Sequence, residues 1–296
     1  MDERDASKEH FVKLLYSGIL KRAPDDAGMS SHLAKLGQDP TFSSALSVLE
    51  SFVGSNENRN VRSIKRTSAD PLQLPVDSIM SIGSHCLTSA TLKRSGLKRF
   101  SGPFDWIFSN LAMVADCIED DFTTFLDKRF YSPVPLDKRK EKDANFCDHA
   151  FFRDRYALRF IFNHSDPNED QVYQYLVRCV GRFRALLSSA GRNILFGVCA
   201  PDRGHEADFD RLCDLLNRAP ACELLIVICE PPSGTLNVRF MLSRASGRHR
   251  LFVMQPTSDL GPLRFESSFD DYMIHRLLDS LLYSYPLEHR NSAVGV

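Results

Sequence analysis

The chain has 296 residues, with 37 lysines and arginines against 38 aspartates and glutamates, and its hydrophobic content is 43%. These values are typical of a soluble globular protein that has one large domain, or a main domain with a small appendage. The net charge of −1 argues against a nucleic-acid partner, and no apolar run reaches the roughly 18–20 residues of a membrane-spanning helix.

The eight cysteines are scattered along the chain, and no two of them form a C-x-x-C pair. This distribution is typical of reduced, mostly buried thiols and argues against a disulfide framework or a zinc site. The charged N-terminal segment, MDERDASKEHF, lacks the apolar core of a signal peptide, so we predict a cytoplasmic protein. Gly-rich phosphate-binding motifs are also missing, and we expect no cofactor and no metal.

Residues 1–54 are predicted to form a small helical module. Apolar residues recur at spacings of three and four between Phe11 and Leu20, a P-D-D-A-G turn at 24–28 precedes a second helix, and a third is predicted at about Phe42–Val53. The string FVKLLYSGILKRAPDDAGMSSHLAKL resembles a helical module that is found in many bacterial proteins and has no known chemistry. This resemblance implies docking or scaffolding, with a protein partner bound through the module.

Residues 55–75 are polar and lack apolar periodicity, so they are predicted to form a linker. Residues 76–296 alternate strand-like and helix-like segments, which predicts an α/β domain with a mostly parallel sheet and helices on both faces. The predicted strands are Ser78–Ile82, Asn193–Cys199, Glu223–Cys229 and Arg250–Gln255. The predicted helices are Leu87–Ser95, Ala112–Asp120, Glu169–Ala190, Phe209–Arg218 and Asp270–Tyr283.

The first predicted strand of this domain leads directly to a candidate nucleophile. The strand ends at Gly83, and Ser84, His85 and Cys86 precede a predicted helix. Such a turn lies at the carboxyl edge of a sheet, where α/β folds bind ligands. A thiol near a helix N-terminus is also a candidate for activation, because the partial positive charge there stabilises thiolate. Cys86 is therefore the first candidate for chemistry.

The segment at 127–161 is predicted to be an insertion that returns over this site as two short strands or a hairpin. It carries His149, a candidate base for Cys86, because an imidazole can activate a thiol near neutral pH. Asp105, in the string PFDW, is the preferred carboxylate to orient that imidazole. His164, in the string FNHSDPNED, is predicted to lie in a loop.

Five further side chains are candidates for contacting a substrate. Ser84 and His85 precede Cys86 in the same turn, and Trp106, the single tryptophan, follows Asp105. Arg178 and Arg182 are four residues apart on one predicted helix and share a face, so they could hold an anionic group. The substrate-binding candidates are Ser84, His85, Trp106, Arg178 and Arg182.

A family resemblance covers about residues 76–280. The strings SIGSHC, RSGLKRFSGPFDWIFSNL and DDFTTFLD resemble a bacterial domain family of unknown function that is labelled "putative papain-like cysteine peptidase". Its later elements are a His before an aromatic residue, a basic helix and an apolar strand, which correspond here to His149, Arg178–Arg184 and Asn193–Val198. Papain folds are not built from alternating strands and helices, so any likeness to papain would lie in a Cys–His pair.

The favoured prediction is a cysteine-dependent hydrolase or acyl transferase, with Cys86 as nucleophile, His149 as base and Asp105 as orienting group. Its substrate would be a peptide or a glycan-linked molecule. One alternative is a glycan-modifying transferase or an esterase that uses the same crevice, with Ser84 as an esterase nucleophile. The other alternative is a non-catalytic binding protein. The distance between the Cys86 sulfur and the His149 ring separates these alternatives.

Overall fold

The computed structural model describes residues 3–20, 22–58, 76–202, 204–219, 221–232 and 238–282. Its contacts divide the chain into two compact units: Val76–Glu266 is one, and Met1–Pro75 together with Ser267–Val296 is the other. Most of the predicted linker, from residue 59 to residue 75, lies outside the described residues.

The secondary structure follows the predicted alternation of strands and helices. The helices are α1 (Glu3–Leu15), α2 (Asp26–Leu36), α3 (Phe42–Val53), α4 (Leu87–Arg94), α5 (Leu111–Glu119), α6 (Ala150–Tyr156), α7 (Asp170–Ser188), α8 (His205–Leu216) and α9 (Ser268–Leu282). The strands are β1 (Val76–Ser81), β2 (Tyr131–Pro133), β3 (Cys147–His149), β4 (Arg192–Cys199), β5 (Cys222–Cys229), β6 (Arg239–Ser246) and β7 (His249–Gln255). Short 3₁₀ turns occupy Lys128–Phe130 and Leu136–Lys138, and α1 continues into a π-helical turn at Tyr16–Leu20.

The helical unit is built from α1, α2, α3 and α9. Local capping explains where α2 and α3 begin: the Asp25 carboxylate accepts from the N–H of Gly28, and Thr41 and Ser44 form a reciprocal capping box. Apolar side chains from α1, α2 and α3 form one core, which includes Val12, Leu36 and Phe52. Helix α9 contacts α3 and belongs to the same unit.

The α/β unit is organised around a five-stranded sheet in the order β1-β4-β5-β7-β6. Strands β1, β4, β5 and β7 are mutually parallel, and β6 pairs antiparallel with β7 at the edge. Every residue of β5 is buried, and so is nearly all of β4, as expected for parallel strands that are covered on both faces. The predicted mostly parallel α/β sheet flanked by helices is therefore confirmed.

Successive residues along the central strands show that both faces of the sheet are buried. Leu195 and Ile226 belong to a large core that also contains residues of α5, α7 and α8. Their neighbours Phe196 and Val227 point to the opposite face and are also completely buried. The sequence did not predict β6, because nearly all of its side chains are exposed and it has no apolar alternation.

The insertion forms the predicted hairpin. Strands β2 and β3 pair antiparallel, with Tyr131 opposite His149. After α6 the chain returns alongside β3, where Phe162 and Cys147 form an antiparallel bridge. This return brings the loop that follows Phe162 to the candidate thiol.

We expect the Gly83→Ala substitution to lower the free energy of unfolding by about 1–3 kcal/mol. A Cβ at this position would overlap Oγ1 of Thr88 and would lie 2.8 Å from the carbonyl oxygen of Val198, so the turn would have to shift. Gly181→Ala in α7 is the matched control, because a Cβ there meets no atom of the described residues within 4 Å apart from the neighbouring backbone of its own helix. That substitution should raise the free energy of unfolding by about 0.5–1 kcal/mol. Urea titration measures both values, and equal effects would contradict the steric argument.

Candidate active site

The turn between β1 and α4 is fixed to the end of β4. The N–H of Ser84 donates to the carbonyl of Val198 over 3.4 Å, and the Thr88 hydroxyl bonds both to that carbonyl and to the N–H of Val198. The Ser109 hydroxyl donates to the carbonyl of Gly83 over 2.7 Å. These contacts hold Cys86 at the N-cap of α4.

The Cys86 thiol lies beside the imidazole of His164. The sulfur is 3.3 Å from Nε2 of His164, within hydrogen-bonding distance. All eight cysteines are buried and unpaired, as the sequence predicts, and Cys86 has the largest exposed fraction, at 5%. His164 itself is exposed. The structure thus gives the candidate nucleophile a histidine neighbour that is open to solvent.

The segment just before His164 is anchored at three consecutive residues, two through backbone atoms and one through its side chain. The carbonyl of Ile161 accepts from the N–H of Phe108, Phe162 exchanges two backbone hydrogen bonds with Cys147, and the Asn163 side chain accepts from Asn145. These anchors belong to the loop before α5 and to the insertion, so both segments set the position of His164. The amide nitrogen of Asn163 also lies 3.5 Å from Nε2 of the imidazole.

The structure places His149 elsewhere, in a closed aromatic cluster. Its Nε2 donates to the carbonyl of Thr124 over 3.1 Å, and its Nδ1 has no hydrogen-bond partner among the described residues. Rings of five neighbours surround the imidazole, namely Phe125, Phe130, Tyr131, Phe152 and Phe162. Burial lowers the pKa of His149 to about 4. The predicted contact between Cys86 and His149 is therefore absent from the described structure, and the imidazole beside the thiol is that of His164.

Asp105 is buried and accepts hydrogen bonds from several residues, but it bonds to neither His149 nor His164. One carboxylate oxygen accepts from the Ser81 hydroxyl over 2.5 Å, and the other accepts from the N–H of Gly102 and from Lys98. Lys98 also lies over the Trp106 ring, 4.8 Å from its centroid. Asp105 therefore ties the end of β1 to the PFDW loop and fixes the tryptophan beside the site.

The local electrostatics keep the resting Cys86 thiol protonated. Burial raises the pKa of Cys86, its backbone hydrogen bond lowers it, the charge of Asp105 raises it and the charge of Lys98 lowers it. A thiol of this kind needs a base in order to react near neutral pH, because the thiolate is the nucleophile. Among the described residues, His164 contacts the sulfur through a ring nitrogen that can accept the proton.

Ser84 and His85 bond to each other rather than to the thiol. Nε2 of His85 donates to the carbonyl of Gly261 over 3.0 Å, so its Nδ1 accepts from the Ser84 hydroxyl, also over 3.0 Å. The Ser84 oxygen in turn accepts from the N–H of Ala200. Burial lowers the pKa of His85, which favours this neutral tautomer. The pair links the turn to two other loops.

A cavity of about 710 Å³ adjoins the Cys–His pair. His164 lines it together with Trp106 and Arg178, and the walls are largely apolar. Arg182, in contrast, is not part of the cavity lining and donates to the carbonyl of Ser101 over 3.3 Å. Of the two predicted anion-binding arginines, Arg178 alone faces the cavity.

One local pattern in the sequence could have pointed to His164 as a site residue. The run Phe160–Phe162 is apolar and ends in Asn163 and His164, as a short strand does when it ends at a site. The SDPNED string that follows is typical of a loop, so the pattern alone predicted His164 to be a loop residue.

Among the described residues, no group of three or more His, Cys, Asp or Glu side chains is arranged to hold a metal ion.

An exposed imidazole against a thiol at a strand-to-helix turn defines a candidate nucleophilic-cysteine site on an α/β fold. A family model described as "Putative papain-like cysteine peptidase (DUF1796)" matches residues 77–218, which contain both Cys86 and His164. A second model, "Domain of unknown function (DUF4214)", matches residues 2–61, the predicted helical module.

No curated protein and no solved structure matches the chain. Within the described ranges, none of the helices combines the length and the apolar character that crossing a membrane requires.

The low pKa of His149 predicts a pH dependence of stability. The unfolded chain binds the proton near pH 6.5 and the folded chain near pH 4, so the free energy of unfolding falls as the pH decreases through this interval. Between pH 7 and pH 5 the loss attributable to this group is roughly 2 kcal/mol. The His149→Phe variant should lose less stability over this range than the unmodified protein, by about that amount.

Urea titration followed by Trp106 fluorescence measures this difference, because Trp106 is the single tryptophan and lies in the α/β unit. His10→Gln is the control, since it removes an exposed histidine of α1 and should leave the pH dependence unchanged. Parallel pH profiles for the unmodified protein and His149→Phe would show that His149 is not the responsible group.

Proposed function

We propose that the α/β unit catalyses cysteine-dependent acyl transfer, with hydrolysis as the case in which water accepts the acyl group. The observation that carries the proposal is the 3.3 Å contact between the Cys86 sulfur and Nε2 of His164. The pair adjoins a cavity large enough for an organic substrate, which supports a role in chemistry rather than in packing.

In the first step His164 acts as general base. Nε2 takes the thiol proton while the Cys86 sulfur attacks the carbonyl carbon of the substrate, which forms a tetrahedral intermediate with a negatively charged oxygen. The first N–H groups of a helix have no intrahelical acceptor, so the start of α4 can donate hydrogen bonds to this oxygen. The helix dipole adds favourable electrostatics at the same point.

In the second step the imidazolium returns the proton. Nε2–H of His164 protonates the leaving group as the carbon–heteroatom bond breaks, and the acyl group stays on Cys86 as a thioester. An incoming water or other nucleophile then loses its proton to the same nitrogen and attacks the thioester. The Cys86 thiol is released when it regains the proton from His164.

The family description supports this proposal at the level of reaction class. Residues 77–218 match the family whose description reads "Putative papain-like cysteine peptidase", and the nucleophile and base proposed here lie inside that range. Peptides are therefore the first class of natural acyl donor to consider. Ser84 is a weaker nucleophile candidate than Cys86. Besides donating to His85, its hydroxyl oxygen accepts a hydrogen bond from the N–H of Ala200, and this bond anchors the oxygen to the backbone.

Acylation by a simple donor tests the nucleophile and the base. We expect the phenyl thioester of octanoic acid to add one octanoyl group to the protein, and peptide mapping by mass spectrometry should locate it on Cys86. Cys86→Ala should abolish the modification. His164→Ala should slow it by about 100-fold, because a general base contributes 10²–10⁴-fold.

Two controls accompany this measurement. His10→Ala removes an exposed histidine of the helical unit and should leave the acylation rate unchanged. His149→Phe separates the two candidate bases, and it should also acylate at the normal rate as long as it is folded. Acylation at a different cysteine, or an unchanged rate in folded His164→Ala, would refute the proposal and favour a binding protein.

Thiol reactivity gives an independent prediction. Brief, substoichiometric iodoacetamide treatment should label Cys86 before the other seven cysteines, because this residue has the largest exposed fraction of the eight and its sulfur contacts an imidazole. The labelling rate should rise with pH, since burial raises the pKa of this thiol and iodoacetamide reacts with thiolate. In His164→Ala the rate near neutral pH should fall by about tenfold. Preferential labelling of another cysteine in the folded protein would argue against the site.

A further inference from the structure

The cavity beside His164 has a chemical character that restricts what it can bind. Its volume is about 710 Å³, and most of its wall is apolar, with Trp106, Phe162, Leu176 and Leu263 among the lining residues. An apolar group that binds against such a wall gains free energy because its surface is removed from water. The cavity is therefore suited to an alkyl or aromatic portion of a substrate.

One cation lines this cavity without a counter-ion. Arg178 contributes to the wall from α7, and no Asp or Glu is among the described residues that line the cavity. No hydrogen bond or ion pair joins the Arg178 guanidinium to another residue that the structure describes. The other arginines of α7 have partners: Arg182 donates to the carbonyl of Ser101, and Arg184 pairs with Asp121.

We propose that the cavity binds an acyl substrate whose apolar portion packs against Trp106 and Leu176 and whose carboxylate or phosphate group bonds to Arg178. A guanidinium binds both anions through two parallel N–H donors. His164 lines the same cavity and contacts the Cys86 sulfur, so a molecule bound here lies next to the reacting thiol. The assignment of this molecule as the acyl substrate rests on the proposed function, whereas its binding does not.

Binding to the Cys86→Ala variant tests the inference without any need for catalysis. Trp106 is the only tryptophan and lines the cavity, so its fluorescence reports occupancy directly. Three probes share one alkyl chain: octanoate, octyl phosphate and the neutral octanamide. We expect at least one of the two anions to bind about tenfold more tightly than octanamide, because hydrogen bonds to charged groups are worth more than those to neutral groups.

The second variant isolates the arginine. In Cys86→Ala/Arg178→Gln the preference for the anion should disappear, while the affinity for octanamide should change by less than about twofold. Cys86→Ala/Arg184→Gln is the matched control, because Arg184 lies on the same helix and pairs with Asp121 away from the cavity lining. The control should keep the full preference for the anion.

The outcomes are distinct for each proposal. The tighter of the two anions identifies the group as carboxylate or phosphate. Equal affinities for all three probes, or a preference that survives Arg178→Gln, would overturn the assignment of Arg178. Such a result would leave acylation of Cys86 by the octanoyl thioester unaffected. Conversely, Arg178-dependent anion binding in a protein that is never acylated would make the cavity a binding site only.

Discussion

The candidate site depends on the close approach between the turn at Gly83 and the end of β4. There is no space for a side chain at residue 83, because Thr88 and the carbonyl of Val198 occupy the position that a Cβ would take. This contact allows Thr88 to bond to both backbone groups of Val198. As a result, α4 begins directly at the carboxyl edge of the sheet, and Cys86 lies at its N-cap with its sulfur directed to the neighbouring loops.

A second constraint is the buried charge of Asp105. Its carboxylate is 2% exposed, and hydrogen bonds from Ser81, Gly102 and Lys98 compensate for its lost hydration. Because these partners belong to β1 and to the loop that carries Trp106, the carboxylate fixes the loop against the sheet. The PFDW string therefore has a structural explanation: Asp105 positions the cavity wall and does not orient an imidazole in this arrangement.

His149 in the insertion and His164 just after it differ in burial, and this difference determines which of them can exchange protons with solvent. His149 is fully buried among aromatic rings, and burial lowers its pKa to about 4, so it stays neutral near pH 7 and supports the hairpin. His164 is exposed and touches both the sulfur and the cavity. The base of the proposed acyl transfer must exchange protons with water and with a leaving group, and the exposure of His164 permits both exchanges.

The sequence by itself determined the α/β class, the strands of the parallel sheet, the hairpin of the insertion and the position of Cys86. These features follow from local patterns: apolar runs, a glycine that ends a strand and the residues that begin helices. It missed β6, whose edge position leaves no apolar pattern.

Only the tertiary structure decided which histidine contacts the Cys86 thiol and which arginine lines the cavity. It also decided that the Asp105 carboxylate accepts hydrogen bonds from the end of β1 and from the PFDW loop instead of orienting a histidine. Cys86 and His164 are 78 positions apart, and their contact depends on hydrogen bonds among three separate segments. Local periodicity does not predict such contacts, because each of them depends on how distant segments of the chain pack together.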